Sequence, residues 1–149
     1  DYKTMSASPP LHFLLFASPV QPCGEQAVEL AGKQWPGVVL PSPHLPQPWL
    51  QSWEETFEKL EQLPRLYSEP DGSFTWSYEG EQLAGVLYDR EGKMCYAELF
   101  SQCTRRLLTP FLTACGAPQQ RFVFQLAQAG IVLDEATFLA FLDESAPSG

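Results

Sequence analysis

Any chemistry in this chain has to come from two histidines, four cysteines and eighteen carboxylates. A cysteine nucleophile needs a histidine within hydrogen-bond reach, and Cys23 with His44 is one such pair. No motif brings the two together. His12 lies inside the apolar run Leu11–Ala17 and reads as a hydrogen-bonded strand residue rather than a base. His44 sits between prolines and reads as exposed.

Cys23, Cys95, Cys103 and Cys115 show no C-x-x-C spacing, so neither a zinc ribbon nor a thioredoxin-type motif is present. Two disulfides would suit a secreted chain. Cys95, Cys103 and Cys115 have apolar neighbours, however, as reduced core thiols do, which points to the cytoplasm. Carboxylate pairs for glycoside chemistry must face each other across a cleft. Here the acidic residues gather on one helix face and near residues 143–144, as solvated faces do. Dinucleotide, P-loop, serine-hydrolase and zincin motifs are all missing. The sequence therefore assigns no catalytic residue, no metal ligand and no cofactor, and it leans away from an enzyme.

The formal charge of −9 narrows the partners. A phosphate backbone needs a clustered basic face, and only the pair Arg105-Arg106 is available. Nucleic acid and anionic membrane surfaces are both disfavoured. A basic protein partner is compatible with this charge, although acidity also serves solubility alone. Residues 126–142 resemble a helix-turn-helix with Gly130 at the turn. Its second helix would carry Asp134, Glu135, Asp143 and Glu144, which phosphate repels. The run Leu11–Ala17 is far shorter than the ~20 residues of a membrane span, and no basic stretch precedes it as in a signal peptide. Asp1-Tyr2-Lys3-Thr4 precedes Met5 and reads as an expression remnant outside the fold.

The elements that would position these groups suit one domain over residues 5–149, with 44% hydrophobic and 13% aromatic residues. Nine of the fourteen prolines fall before residue 49, so residues 5–47 read as loop-rich. That stretch is expected to hold a buried strand at 11–17, a short helix at 25–32, a strand at 37–40 and an extended crossing at 41–46. Pro48 and Pro64 then bracket a helix whose stripe is Trp49, Leu50, Trp53, Phe57, Leu60 and Leu63. Core packing explains the two tryptophans better than a ligand cage does.

Residues 73–100 predict a three-stranded meander turning at Gly80-Glu81 and at Arg90-Glu91-Gly92. This register puts Trp76 opposite Gly85 and Leu87 opposite Cys95. One face then carries Phe74, Trp76, Tyr78, Leu83, Gly85, Leu87, Cys95, Ala97 and Leu99. A helix over 101–115 follows, capped by Ser101 and Gly116 and kinked or split at Pro110. Residues 121–126 read as a strand, with a helix running to 129 as the alternative, and 131–133 as a second strand. Asp134 caps a last helix carrying Phe138, Phe141 and Leu142.

The fold class predicted is a single α+β domain with an antiparallel sheet of about five strands and three main helices. Over residues 48–144 the order of elements, though no residue motif, resembles that of type III secretion chaperones, which are also small and acidic. The function expected is a non-catalytic protein-interaction or chaperone-like module. Its partner-binding residues are Val86, Tyr88, Met94 and Tyr96 on the second sheet face, with Ala84 and Glu98 at one end. The chain's own stripe Trp49, Trp53, Phe57 and Leu60 is the expected cover for that face; a homodimer or another partner is the alternative. A small enzyme or small-molecule-binding protein is the other function class. A ligand-sized pocket including His12, His44 or a cysteine would favour it.

Overall fold

In the computed structural model, which describes residues 10–20, 23–41 and 46–145, the run Leu11–Ala17 becomes the strand around which the rest is built. This strand, β1, pairs antiparallel with β7 (Lys93–Gln102) on one side and β8 (Phe122–Leu126) on the other. Its inward residues Phe13 and Leu15 are fully buried, and outward Phe16 is buried too. Apolar cover on both faces explains why the segment is an unbroken apolar run rather than an alternating one.

The complete sheet has seven strands in the order β4-β5-β6-β7-β1-β8-β9. The remaining members are β4 (Leu66–Ser68), β5 (Ser73–Tyr78), β6 (Glu81–Arg90) and β9 (Val132–Asp134). Every pairing is antiparallel. Strands β2 (Gly24–Leu30) and β3 (Lys33–Val39) form a separate hairpin. With helices α1 (Trp53–Glu61), α2 (Arg105–Ala114) and α3 (Glu135–Ser145), this is an α+β single-domain fold. The sheet has seven strands against the expected five or so, and one of them, β4, which the sequence did not signal, extends one edge.

All three helices pack on one face of the sheet. Leu60 of α1, Leu107 and Phe111 of α2, and Phe138 and Phe141 of α3 join Phe13, Phe74, Trp76, Leu83, Leu87 and Phe124 in one core. Burying each such side chain contributes about 1.5–3 kcal/mol, so this layer dominates the stability. A second, smaller cluster of Phe16, Val123 and Val132 lies on the other face, where Val38 and Leu40 cover it.

Several expectations change. The helix expected at 25–32 is strand β2, turned by Ala31-Gly32 with φ of 53° and 78°. Pairing between Ala27 and Pro36 and between Val28 and Trp35 makes a ladder that local helix pattern cannot anticipate. Helix α1 starts at Trp53, capped by the Ser52 hydroxyl, which accepts from the Glu55 amide at 3.0 Å. Residues 49–52 are a non-helical, bent segment instead, fixed where the Trp49 and Trp53 amides donate to the Met94 and Gly92 carbonyls. Trp49 is turned inward there and Leu50 is 72% exposed, which removes Leu50 from the expected stripe. Helix α2 begins at Arg105 with Thr104 as its cap; Ser101 belongs to β7, and the helix runs through Pro110. The strand reading of 121–126 holds, as does the cap of α3, where Asp134 Oδ1 accepts from the Thr137 amide at 2.8 Å.

The two meander turns are also shifted. Tyr78 pairs with Glu81, so the first loop is Glu79-Gly80, both at positive φ (49° and 84°). The second is Glu91-Gly92, at 54° and 85°, braced by the Gly92 amide donating to Asp89 Oδ2 at 2.8 Å. Both are the left-handed two-residue turns that match strand twist, and glycine suits their second position. The shift of two keeps the inward set but moves Phe74, not Trp76, opposite Gly85. Between Tyr88 and Asp89 the register slips by one, leaving Cys95 as the extra residue of a bulge. The slip turns Met94 into the core at 0% exposure and lifts Cys95 out of it. Cys95 is thus corrected from core to half-buried, and Met94 from the second face to the first.

Candidate functional site

The face away from the helices is the region in which the predicted partner-binding residues meet. Strand alternation sets Ala84, Val86 and Tyr88 of β6 beside Phe100, Glu98 and Tyr96 of β7, pair by pair. His12, Leu14 and Phe16 of β1 continue the same face across β7. Three of the four predicted residues, Val86, Tyr88 and Tyr96, come together there. Met94 does not.

The rings form two stacks joined by a carboxylate. Tyr88 and Tyr96 stack with centroids 4.7 Å apart, and Tyr96 lies 5.5 Å from Phe16. His12 stacks on Phe100 at 4.3 Å. Between the stacks, Glu98 Oε1 accepts from the Tyr88 hydroxyl at 3.2 Å, and Glu98 Oε2 is 2.8 Å from His12 Nε2. Desolvation first, and the Glu98 carboxylate second, hold the Tyr88 phenol above its ordinary range. The arrangement is a polar bridge that fixes aromatic rings in place on an open sheet. His12 is a satisfied strand residue, as its sequence context predicts.

The expected cover is absent from this face. Helix α1 lies on the opposite side, with Trp49 and Leu60 in the main core. Its ring pair, Trp53 stacked on Phe57 at 5.0 Å, is committed there too, the Trp53 indole donating to the Leu87 carbonyl at 3.2 Å. The hairpin β2–β3 covers only the Phe16 end through Val38 and Leu40. Phe100 is 48% and Tyr88 37% exposed, and Tyr67 of β4 is exposed as well. The exposure of Phe100 was missed at the sequence level, although its parity with Tyr96 in β7 carries that information.

The other candidates resolve separately. Burial pushes the Cys103 thiol up to about 12, with the Glu81 carboxylate adding to it, and pushes Cys115 up further; neither can act as a thiolate near neutrality. Cys95 Sγ faces the Lys93 carbonyl at 3.9 Å, away from both His12 and the core. His44 lies outside the described residues, as do Asp1–Thr4, so the Cys23–His44 pair has no geometry here. Among the described residues no three His, Cys, Asp or Glu side chains gather to hold a metal ion, and no helix is long and apolar enough to cross a membrane.

The described residues form several clefts. One of about 440 Å³ runs along the strand ends by His12, Phe100 and Ser101. A second, of about 420 Å³, lies between the hairpin and Arg121. A third, of about 520 Å³, lies between Arg105 and Glu135. No protein-family model matches this chain, and neither does any curated protein or solved structure.

Proposed function

We propose that this chain is a non-catalytic protein-interaction module, and that its docking surface is the outer sheet face centred on Val86, Tyr88, Tyr96 and Phe100. One observation carries the reading: all three helices pack on the other face, leaving Tyr88 and Phe100 exposed on a sheet face that no helix covers. Monomers seldom leave contiguous aromatic surface to water, and tyrosine brings area with a polar tip. The Glu98 bridge holds Tyr88 before any partner arrives, which lowers the entropy lost on docking. The net charge of −9 favours a basic partner over nucleic acid or an anionic membrane. Buried free thiols at Cys103 and Cys115 support a reducing compartment such as the cytoplasm. The chaperone-like variant rests on element order alone and gains nothing from the comparisons.

Changing Tyr88 and Tyr96 together to Ser tests the surface. Sedimentation of the parent, alone and with captured lysate proteins, should show an associated species that the folded double variant loses. An unchanged sedimentation profile, accompanied only by lower stability, would refute the proposal.

A further inference from the structure

Resting on the docking reading above, we infer that the outer sheet face receives an amphipathic helix of a partner, whose single arginine pairs with Glu98 between two apolar contacts. The face is ordered for such a helix. Antiparallel pairing sets Val86, Glu98 and Leu14 in one row across β6, β7 and β1. The row on one side holds Tyr88, Tyr96 and Phe16; the row on the other holds Ala84, Phe100 and His12. Glu98 is thus the one acidic group in a largely aromatic and aliphatic surface.

Charge defines what can cover it. Strands β1, β5 and β8 contain no Lys or Arg. Those of β6 and β7 are Arg90 and Lys93, paired at the hairpin tip beyond the bulge. The Tyr88 hydroxyl and His12 Nε2 engage one oxygen of the Glu98 carboxylate each. An ionised carboxylate offers about four acceptor sites, so each oxygen keeps one open. The side chain is 28% exposed, and an apolar cover would strip the water from those sites without replacing it. A planar guanidinium supplies both bonds at once and stacks on neighbouring rings, a fit that a lysine ammonium lacks. A second copy of this chain does not offer it. Its matching rows hold no Lys or Arg, and it would bring a further net charge of −9.

The backbone selects a helix. Strands β6, β7 and β1 are interior, with main chains already paired on both sides, so a docking strand finds no ladder to join. A helix satisfies its own main chain and makes contact through a side-chain stripe. Residues four apart in a helix rise about 6 Å, close to the roughly 6.8 Å between alternate residues of a strand. A helix laid along β7 with apolar residues four before and four after its arginine therefore meets Tyr96 and Phe100 while the arginine meets Glu98.

A display library of helical peptides with randomised stripes is the probe, selected on the full 149-residue chain. The enriched stripe should carry one Arg with an apolar residue about one turn to either side. Exchanging that Arg for citrulline, its neutral isostere, leaves the chain untouched and should weaken binding about tenfold or more. On Glu98→Gln the same exchange should change binding less than twofold. Glu58→Gln, exposed on α1, removes the same formal charge and should leave the tenfold loss intact. Enriched peptides without the Arg overturn the inference, as does an equal citrulline loss on the parent and on Glu98→Gln. If those peptides still fail to bind the Tyr88→Ser, Tyr96→Ser variant, the docking face itself stands. Peptides that bind this double variant undiminished overturn the docking reading too. A parent that sediments as a dimer through this face assigns it to a second copy and overturns the helix alone. Absence of any enriched helix overturns the inference as well.

Discussion

Replacing Trp76 with Ala probes the layer on which both sheet faces depend. The indole is 4% exposed, faces Leu83 across the ladder, and donates from Nε1 to the Pro64 carbonyl at 2.8 Å. A tryptophan side chain carries about 200 Å² of surface, so its burial is worth about 5 kcal/mol at 25 cal/mol/Å². Residual compactness of the unfolded chain trims that to about 4 kcal/mol. Loss of the Pro64 bond adds about 1 kcal/mol. The expected cost is therefore about 4–5 kcal/mol, a large share of the 5–15 kcal/mol typical of a whole domain. With a urea m-value of about 2 kcal/mol/M, the unfolding midpoint should fall by about 2 M at unchanged m. Trp76→Phe keeps most of the apolar area and should lose only about 1–2 kcal/mol. A fall of less than about 0.5 M for the alanine variant would contradict the inward placement of β5 and the reasoning built on it.

Two further outcomes follow from the thiols and from Glu135. Native chain treated with an aromatic disulfide reagent near neutral pH should release signal from Cys23 and Cys95 only, with Cys103 and Cys115 reacting after denaturation. A reductant should leave the melting temperature unchanged, and a loss of several degrees would reveal a disulfide. Burial holds the Glu135 carboxyl above its ordinary range, opposed by Arg121 and reinforced by Asp134. A raised folded pKa means its contribution is greatest at low pH and declines as pH rises through that value. Glu135→Gln should therefore stabilise the chain at pH 7, with the difference vanishing below about pH 4. A variant whose melting temperature runs parallel to the parent's across that range would disprove the buried setting.

Local pattern carried much of this structure. Alternation in Phe74, Trp76 and Tyr78, and the apolar set Leu83, Leu87, Ala97 and Leu99, placed the meander and its inward face despite both turns being misassigned. An error of two residues preserves strand parity; an error of one reverses it. The single slip at Tyr88/Asp89 is therefore what exchanged Met94 and Cys95 between faces, and no residue type announces such a bulge. The other misses share a cause. Strand β2 is stabilised by its partner across the hairpin rather than by its own composition, and residues 49–52 are kept out of the helix by backbone groups of Gly92 and Met94. Which sheet face α1 would cover is likewise a tertiary choice, made by Trp49 and Leu60 fitting against the Met94 side, where the bulge delivers an extra apolar residue. Tyr88 and Tyr96 were legible as neighbours; Phe100 and His12 joined them only once β1 was seated against β7.

The central position of β1 also has a kinetic consequence. Synthesis makes this strand before its partners β7 and β8, which lie roughly a hundred residues later in the chain. At about 5–20 residues per second, an emerging polypeptide carries the segment Leu11–Ala17 unpaired for on the order of ten seconds. Its alternatives during that interval are other sticky strands, including those of neighbouring nascent chains. The meander β5–β7 can close locally in the meantime and presents β7 as a template with one free edge. Completion then waits for β1 to find that edge and for β8 to add to the far side of β1, the kind of long loop closure that slows folding towards milliseconds to seconds. Conditions that retard translation or crowd ribosomes should therefore lower soluble yield, even where the finished molecule is stable.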